Sequence, residues 1–179
     1  LGKVPSPKIL MKAFSEVKPS LIITVPLVIE KIYKGVIQPI INKRAMKFAL
    51  NIPLLDNRIY GQIRQKLVDA LGGRFKEVII GGAAMNPEVE EFFHRIKFPF
   101  TIGYGMTECT AGCCYEPYFG KKPGTSGIMN PDNRCKIVEP GTDRELPPGQ
   151  IGELCIAGPI VMKGYHKRPE ETARTLRVH

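Results

Sequence analysis

The stretch "FKEVIIGGAAMNPEVEEFFHRIKFPFTIGY", residues 75–104, decides the fold. "FKEVII" is a short apolar run of the sort buried in a parallel sheet. It runs into Gly81-Gly82-Ala83-Ala84, and "NPEVEEFFHRI" then opens a helix with Asn86 as N-cap and Pro87 at the first helical position. "FPFTIGY" is a further strand. Strand, helix, strand predicts an α/β unit on a parallel sheet, where ligands bind beyond the carboxyl ends of the strands. Both glycine-rich stretches, Gly81 to Ala84 and Gly103 to Gly105, lie at that end.

The same pattern extends upstream. "PKILMKAFSEVK", Pro7 to Lys18, has the apolar spacing of an amphipathic helix and ends before Pro19. "LIITV", Leu21 to Val25, is a buried strand stopped by Pro26. A helix follows through "LVIEKIYKGVI" and another from Asn42 to Leu50, with Pro39 and Pro53 making that region irregular. In "RIYGQIRQKLVDALGG", Ile59, Ile63, Leu67 and Leu71 share one face and Gly72-Gly73 terminates the helix.

Past about Pro123 the pattern changes. "GTSGIM", "CKIVE", "IGELCIAG" and "VMKGY" are short alternating segments separated by turns such as "EPGTD" and "LPPGQ", which predicts antiparallel β. The expected architecture is therefore a parallel-sheet α/β subdomain over 1–122, then a small β-rich subdomain over 123–179 forming a partial barrel.

With 43% hydrophobic and 24% charged residues, the composition is that of an ordinary globular protein. No apolar run approaches the roughly 18 to 20 residues that span a bilayer, and no signal peptide is read at the N-terminus, which predicts a cytoplasmic location. Beginning at Leu1 and ending in "TLRVH" predicts a piece of a longer polypeptide. The 26 Lys and Arg outnumber 17 Asp and Glu, a net charge of +9. These cations are scattered, as in "KGVIQPIINKRAMK" and "GKKPG", which suits a solvated basic surface or peripheral contact with an anionic membrane. No RNA-binding motif or clustered basic helix points to nucleic acid.

Five cysteines stand at 109, 113, 114, 135 and 155, without the paired C-x-x-C knuckles of a structural zinc site. They read as buried free thiols. The glycine-rich turn before Asn86 is a poor phosphate cradle, since Glu88, Glu90 and Glu91 already meet the positive end of the helix dipole. It suits close backbone approach to a flat, neutral group, or simply a tight connection. In "GYGMTE", Gly103 and Gly105 bracket Tyr104. Its ring can stack on a purine, the Thr107 hydroxyl can donate to a phosphate oxygen, and the Glu108 carboxylate can hold a hard cation such as magnesium.

These residues carry a resemblance. "GYGMTE" resembles the Y-G-x-T-E motif of the adenylate-forming (AMP-binding) superfamily, which includes acyl-CoA synthetases, firefly luciferase and peptide-synthetase adenylation domains. "IIGGAAMNPEVEEFF" is similar to the G-G-A segment before that motif, "GELCIAGPIVMKGYHKRPEETART" to the later G-E-L…G-Y…P-E-x-T segment, and "KPSLIITVPLVIEKIY" to an upstream V-P before a helix. "RFKEVIIGGAAMNPEVEEFF" with "FPFTIGYGMTEC" looks most like bacterial long-chain fatty-acid CoA ligases. The resemblance implies an acid-thiol ligase of fatty-acid metabolism. ATP and a fatty acid form an acyl-adenylate and pyrophosphate, and the coenzyme A thiol then attacks the activated carbonyl.

By position, the resemblance implies that Gly82, Ala83 and Ala84 line the adenine and acyl pocket, with Gly81, Gly82 and Ala83 toward the acyl group. Tyr104 stacks on adenine, with Gly103, Gly105 and Met106 beside it; Thr107 contacts the α-phosphate and Glu108 binds magnesium. Thr107 and Glu108 are the catalytic pair. Not found are the family's lysine-containing triphosphate loop, ribose-binding T-G-D, hinge and C-terminal lid domain, so the chain alone is expected to be inactive and to self-associate. The alternatives are an adenylate-forming enzyme for an aryl, short-chain or amino acid, a noncatalytic basic binding module, and a thiol hydrolase using Cys109 and His94. Lys163, Lys167 and Arg168 suit either a solvated face or coenzyme A phosphates. Tyr165 is expected to be structural, closing the β unit.

Overall fold

In the computed structural model, which describes residues 7–50, 52, 55–116 and 122–177, the chain opens with α1 (Pro7–Val17) and β1 (Leu21–Thr24). Then come α2 (Pro26–Ile32), a π-helical turn over Tyr33–Ile37, α3 (Gln38–Ile41), α4 (Arg44–Ala49), α5 (Leu55–Ala70), β2 (Glu77–Ile80), α6 (Pro87–Arg95) and β3 (Phe100–Tyr104). Pro53 lies outside the described residues. The helix expected through Ile37 forms, with a π-helical turn in it: Gln38 N–H bonds back to Tyr33 O, one residue further than in a regular α-helix.

The described chain forms two units. The first holds residues up to Ile102 together with 122–125; the second holds 103–116 and 126–177. In the first, β1 and β2 pair in parallel from Leu21↔Glu77 to Thr24↔Ile80, and β2 and β3 from Val78↔Phe100 to Ile80↔Ile102. One side of this sheet is core. Ile22, Val78, Ile80 and Phe100 are buried there with Ile63 and Leu67 of α5, Leu71 just past its end, and Val89 and Phe93 of α6. Phe93 is fully covered, its ring centroid 4.8 Å from Phe98 and 5.6 Å from Phe100. Each such side chain contributes about 1.5–3 kcal/mol by leaving water. Leu21, Ile23, Val25 and Leu27 remain exposed, Ile23 at 75%.

In the second unit Gly103 and Tyr104 pair antiparallel with β4 (Cys114–Tyr115), which pairs with β5 (Ile128–Met129). A separate antiparallel ribbon joins β6 (Arg134–Val138) to β7 (Glu153–Ala157). The strand expected at "VMKGY" does not form. Met162 N donates to Glu108 O at 2.8 Å and Tyr165 N to the Thr172 hydroxyl at 2.9 Å, so these amides serve loop contacts instead of a ladder. A helix not expected from the sequence, α7 (Pro169–Thr175), follows. Among the described residues no helix is long and apolar enough to cross a membrane.

Candidate functional site

In the first unit the G-G-A-A turn follows β2 directly. Gly81 N donates to Thr24 O at 3.1 Å, extending the sheet by one bond, and Gly82 then turns through φ +86°. Gly82, Ala83 and Ala84 are exposed, whereas Met85 is buried and anchors the turn. Asn86 Oδ1 accepts from Glu88 N at 2.9 Å and from Val89 N at 3.3 Å, and Asn86 N donates to Glu30 Oε1 at 3.1 Å. The first amides of α6 are thus already engaged. With Glu88 and Glu90 in the same turn, this helix end does not favour an anion.

Glu90 does more than complement the dipole. It is 4% exposed, and its Oε1 accepts from Gly124 N at 2.8 Å, fastening residues 122–125 to α6. His94 is half-buried. Its ring lies 4.9 Å from Phe100, and Nε2 lies 3.8 Å from Glu90 Oε1.

In the second unit the chain after β3 folds into a closed loop. Cys113 N donates to Tyr104 O at 2.9 Å, while Cys109 N and Ala111 N both donate to Met106 O, at 3.0 and 3.1 Å. A 3-10 turn spans Thr107–Cys109 and ends on left-handed Thr110 and Ala111. Buried Cys109 and Cys113 root the loop, leaving Tyr104, Met106 and Thr107 exposed and Glu108 half-buried. The loop thereby carries five of the expected site residues, Tyr104, Gly105, Met106, Thr107 and Glu108.

Glu108 is held from a distant stretch of chain. Its Oε1 accepts from the Tyr165 hydroxyl at 2.6 Å. That bond, then the residue's own backbone amide, lowers the Glu108 pKa, and the same bond raises that of Tyr165. Tyr165 sits at the mouth of α7: its N–H meets Thr172 Oγ1, which in turn donates to Arg168 O at 2.7 Å. The sequence placed Tyr165 in the β unit and carried no local signal of this contact, which spans 57 positions.

A cavity of about 550 Å³ in this unit is lined by Met106, Glu108 and Cys109, by β7, and by Arg174 and Arg177. Neither arginine was singled out from the sequence. Of the cations that were, Arg168 is paired with Glu171 at 2.9 Å, while Lys163 and Lys167 are exposed. All five cysteines are free thiols, but only Cys109 and Cys113 are buried as expected; Cys114 and Cys155 are half-buried and Cys135 is exposed. Burial, then the neighbouring Cys113, pushes the Cys109 thiol up to about 11, which makes it a poor nucleophile.

The family of AMP-binding enzymes matches residues 2–166. A 4-coumarate–CoA ligase-like protein of Oryza sativa subsp. japonica is 40% identical over 109 residues, 58% of this chain and 20% of its own. Long chain acyl-CoA synthetase 1 of Arabidopsis thaliana is 32% identical over 189 residues, 94% of this chain and 29% of its own. Among solved structures, ATP-bound MatB from Rhodopseudomonas palustris superposes with a TM-score of 0.66 at 24% identity, over 96% of this chain and 28% of that one. The chain spans less than a third of each relative's length. Its mixed α/β fold is that of the adenylate-forming enzymes.

Proposed function

The chain belongs to the family of AMP-binding enzymes, and from that premise we propose that it is part of an AMP-forming long-chain fatty-acid CoA ligase. Residues 1–122 would belong to the N-terminal adenylation domain, and 123–179 to the β-rich subdomain before a C-terminal lid. The whole protein would join ATP and a fatty acid into an acyl-adenylate, releasing pyrophosphate, and then pass the acyl group to coenzyme A. The observation that carries this reading is the loop after β3, which exposes Tyr104, Met106 and Thr107 and holds the Glu108 carboxylate against the Tyr165 hydroxyl.

In this reading Tyr104 stacks on adenine, with the backbone of Gly103, Gly105 and Met106 beside it, and Thr107 donates to the α-phosphate. The exposed Gly82, Ala83 and Ala84 let a flat base approach the backbone, and Gly81, Gly82 and Ala83 face the acyl group. Glu108 fits magnesium: it is a hard carboxylate oxygen donor at the surface of the loop, and the ion takes one or two carboxylates with phosphate oxygens and water. Glu108 would hold the ion, whose charge would offset that of the phosphate oxygens. Glu108 supplies the fixed carboxylate and Thr107 the hydroxyl donor.

Similarity to a long chain acyl-CoA synthetase over 94% of the chain favours a fatty acid. Higher identity to a 4-coumarate–CoA ligase-like protein over a shorter stretch supports a second reading, an aryl acid. Pyrophosphate exchange by the full-length polypeptide with acids of graded length and with 4-coumarate decides between them. Faster exchange with long-chain acids supports the first reading; preference for the aryl acid removes it.

Alone, this chain would be inactive and would self-associate. The exposed Leu21, Ile23, Val25 and Leu27 support association, since parallel sheets are ordinarily covered on both faces. A monomer by sedimentation at high concentration removes that part. A cytoplasmic location with peripheral membrane contact through the basic surface completes the reading; failure to sediment with anionic vesicles at low salt removes the contact.

A further inference from the structure

We propose that Tyr165 is a positioning residue for the cation-binding carboxylate: its hydroxyl, held by α7, fixes Glu108 Oε1 so that the carboxylate meets a divalent ion in one orientation. This rests on the reading of Glu108 as the magnesium ligand. It follows from a set of contacts converging on one loop. Tyr165 OH donates to Glu108 Oε1 at 2.6 Å, Met162 N donates to Glu108 O at 2.8 Å, and Thr110 Oγ1 donates to Ile160 O at 2.8 Å. The stretch 160–165 thus grips both the backbone and the side chain of the loop.

The grip is itself supported from behind. Tyr165 N donates to Thr172 Oγ1 at 2.9 Å, and Thr172 Oγ1 donates to Arg168 O at 2.7 Å, so the first turn of α7 sets the tyrosine's backbone. Gly164 permits the approach. A Cβ there would lie 2.8 Å from Thr172 Cγ2, and φ is +142°. A charge-assisted O–H···O⁻ bond is short and directional, and it occupies one carboxylate oxygen on the side facing Tyr165. The bond would thereby leave Oε2 as the less engaged oxygen of the carboxylate for a cation. Groups that hydrogen-bond a metal ligand orient it, and losing one typically weakens metal binding about 10- to 100-fold. The sequence places "GYHKRPEET" far from "GYGMTE", and the fold makes the two one device.

The test uses the full-length polypeptide with Mn²⁺ and ATP. Bound Mn²⁺ is measured by electron paramagnetic resonance, and the metal dependence of pyrophosphate exchange is measured alongside. Tyr165→Phe is expected to raise the half-saturating Mn²⁺ concentration at least about 10-fold, with the half-saturating ATP concentration at saturating metal unchanged and exchange recovered as metal is added. Glu108→Gln is expected to weaken Mn²⁺ binding more, and adding Tyr165→Phe to it is expected to do nothing further. If Tyr165→Phe does not fold, Thr172→Ala, which cuts the bond behind the tyrosine, must raise the Mn²⁺ half-saturation instead. Unchanged Mn²⁺ binding in the folded variant, with Glu108→Gln impaired, overturns the role of Tyr165 alone. Unchanged binding in Glu108→Gln overturns the metal reading beneath it.

Discussion

A Cβ built on Gly105 would lie 1.9 Å from the carbonyl oxygen of Ala111. The two strands of the loop after β3 are therefore in backbone contact, and no side chain fits between them. Gly112, in the same loop, has nothing within 4 Å of its own Cβ position. Gly105→Ala is expected to cost about 1–3 kcal/mol by overpacking, and Gly112→Ala to cost little. Chemical denaturation of the two variants checks this, and equal stability contradicts the loop geometry.

The buried carboxylate of Glu90 makes a second prediction. Glu90→Ala strips the Gly124 amide of its acceptor inside the first unit and is expected to cost about 1–3 kcal/mol. Glu90→Gln keeps a carbonyl oxygen for that amide and should lose less. A larger loss in Glu90→Gln than in Glu90→Ala contradicts the assignment.

The core of the first unit depends on Phe93, which has no exposed surface and packs on Phe98 and Phe100. Phe93→Ala is expected to remove about 3–5 kcal/mol. An unshifted denaturation midpoint is inconsistent with the packing described.

The thiols should differ in reactivity and in their effect on pH stability. Cys135 is exposed, whereas Cys109 is buried with its pKa pushed up to about 11. Alkylation near pH 8 is expected to modify Cys135 first and the buried pair Cys109 and Cys113 last, read residue by residue by mass spectrometry. Because folding raises the Cys109 pKa, the unfolded chain loses that proton first. The stabilising contribution is present below the ordinary thiol range and is lost as pH rises through it toward 11. Stability that increases over that range contradicts the burial of Cys109.

How much of this was legible in the sequence follows from distance along the chain. Asn86 and Pro87 set a helix start locally, and the structure realises it with the Asn86 cap. The α5 face was visible because Ile63, Leu67 and Leu71 recur at helical spacing, and all three are buried. "VMKGY" read as a strand because it is apolar and short, but its amides go to Glu108 and Thr172, partners no local pattern shows. The same is true of Tyr165. Its hydroxyl finds Glu108 across 57 positions, so a residue that looked like β-unit packing lies at the site. Glu90 was read from its place in the helix's first turn, and its bond to Gly124 spans 34 positions.

The central claim is that the loop from Tyr104 to Glu108 forms a nucleotide site in which Glu108 holds the metal. Its most direct test is ATP–pyrophosphate exchange by the full-length polypeptide carrying Glu108→Ala, with the fold checked by circular dichroism. The expected result is a folded protein whose exchange falls at least about 100-fold. A folded variant that exchanges at the unaltered rate, with the same dependence on magnesium, contradicts it.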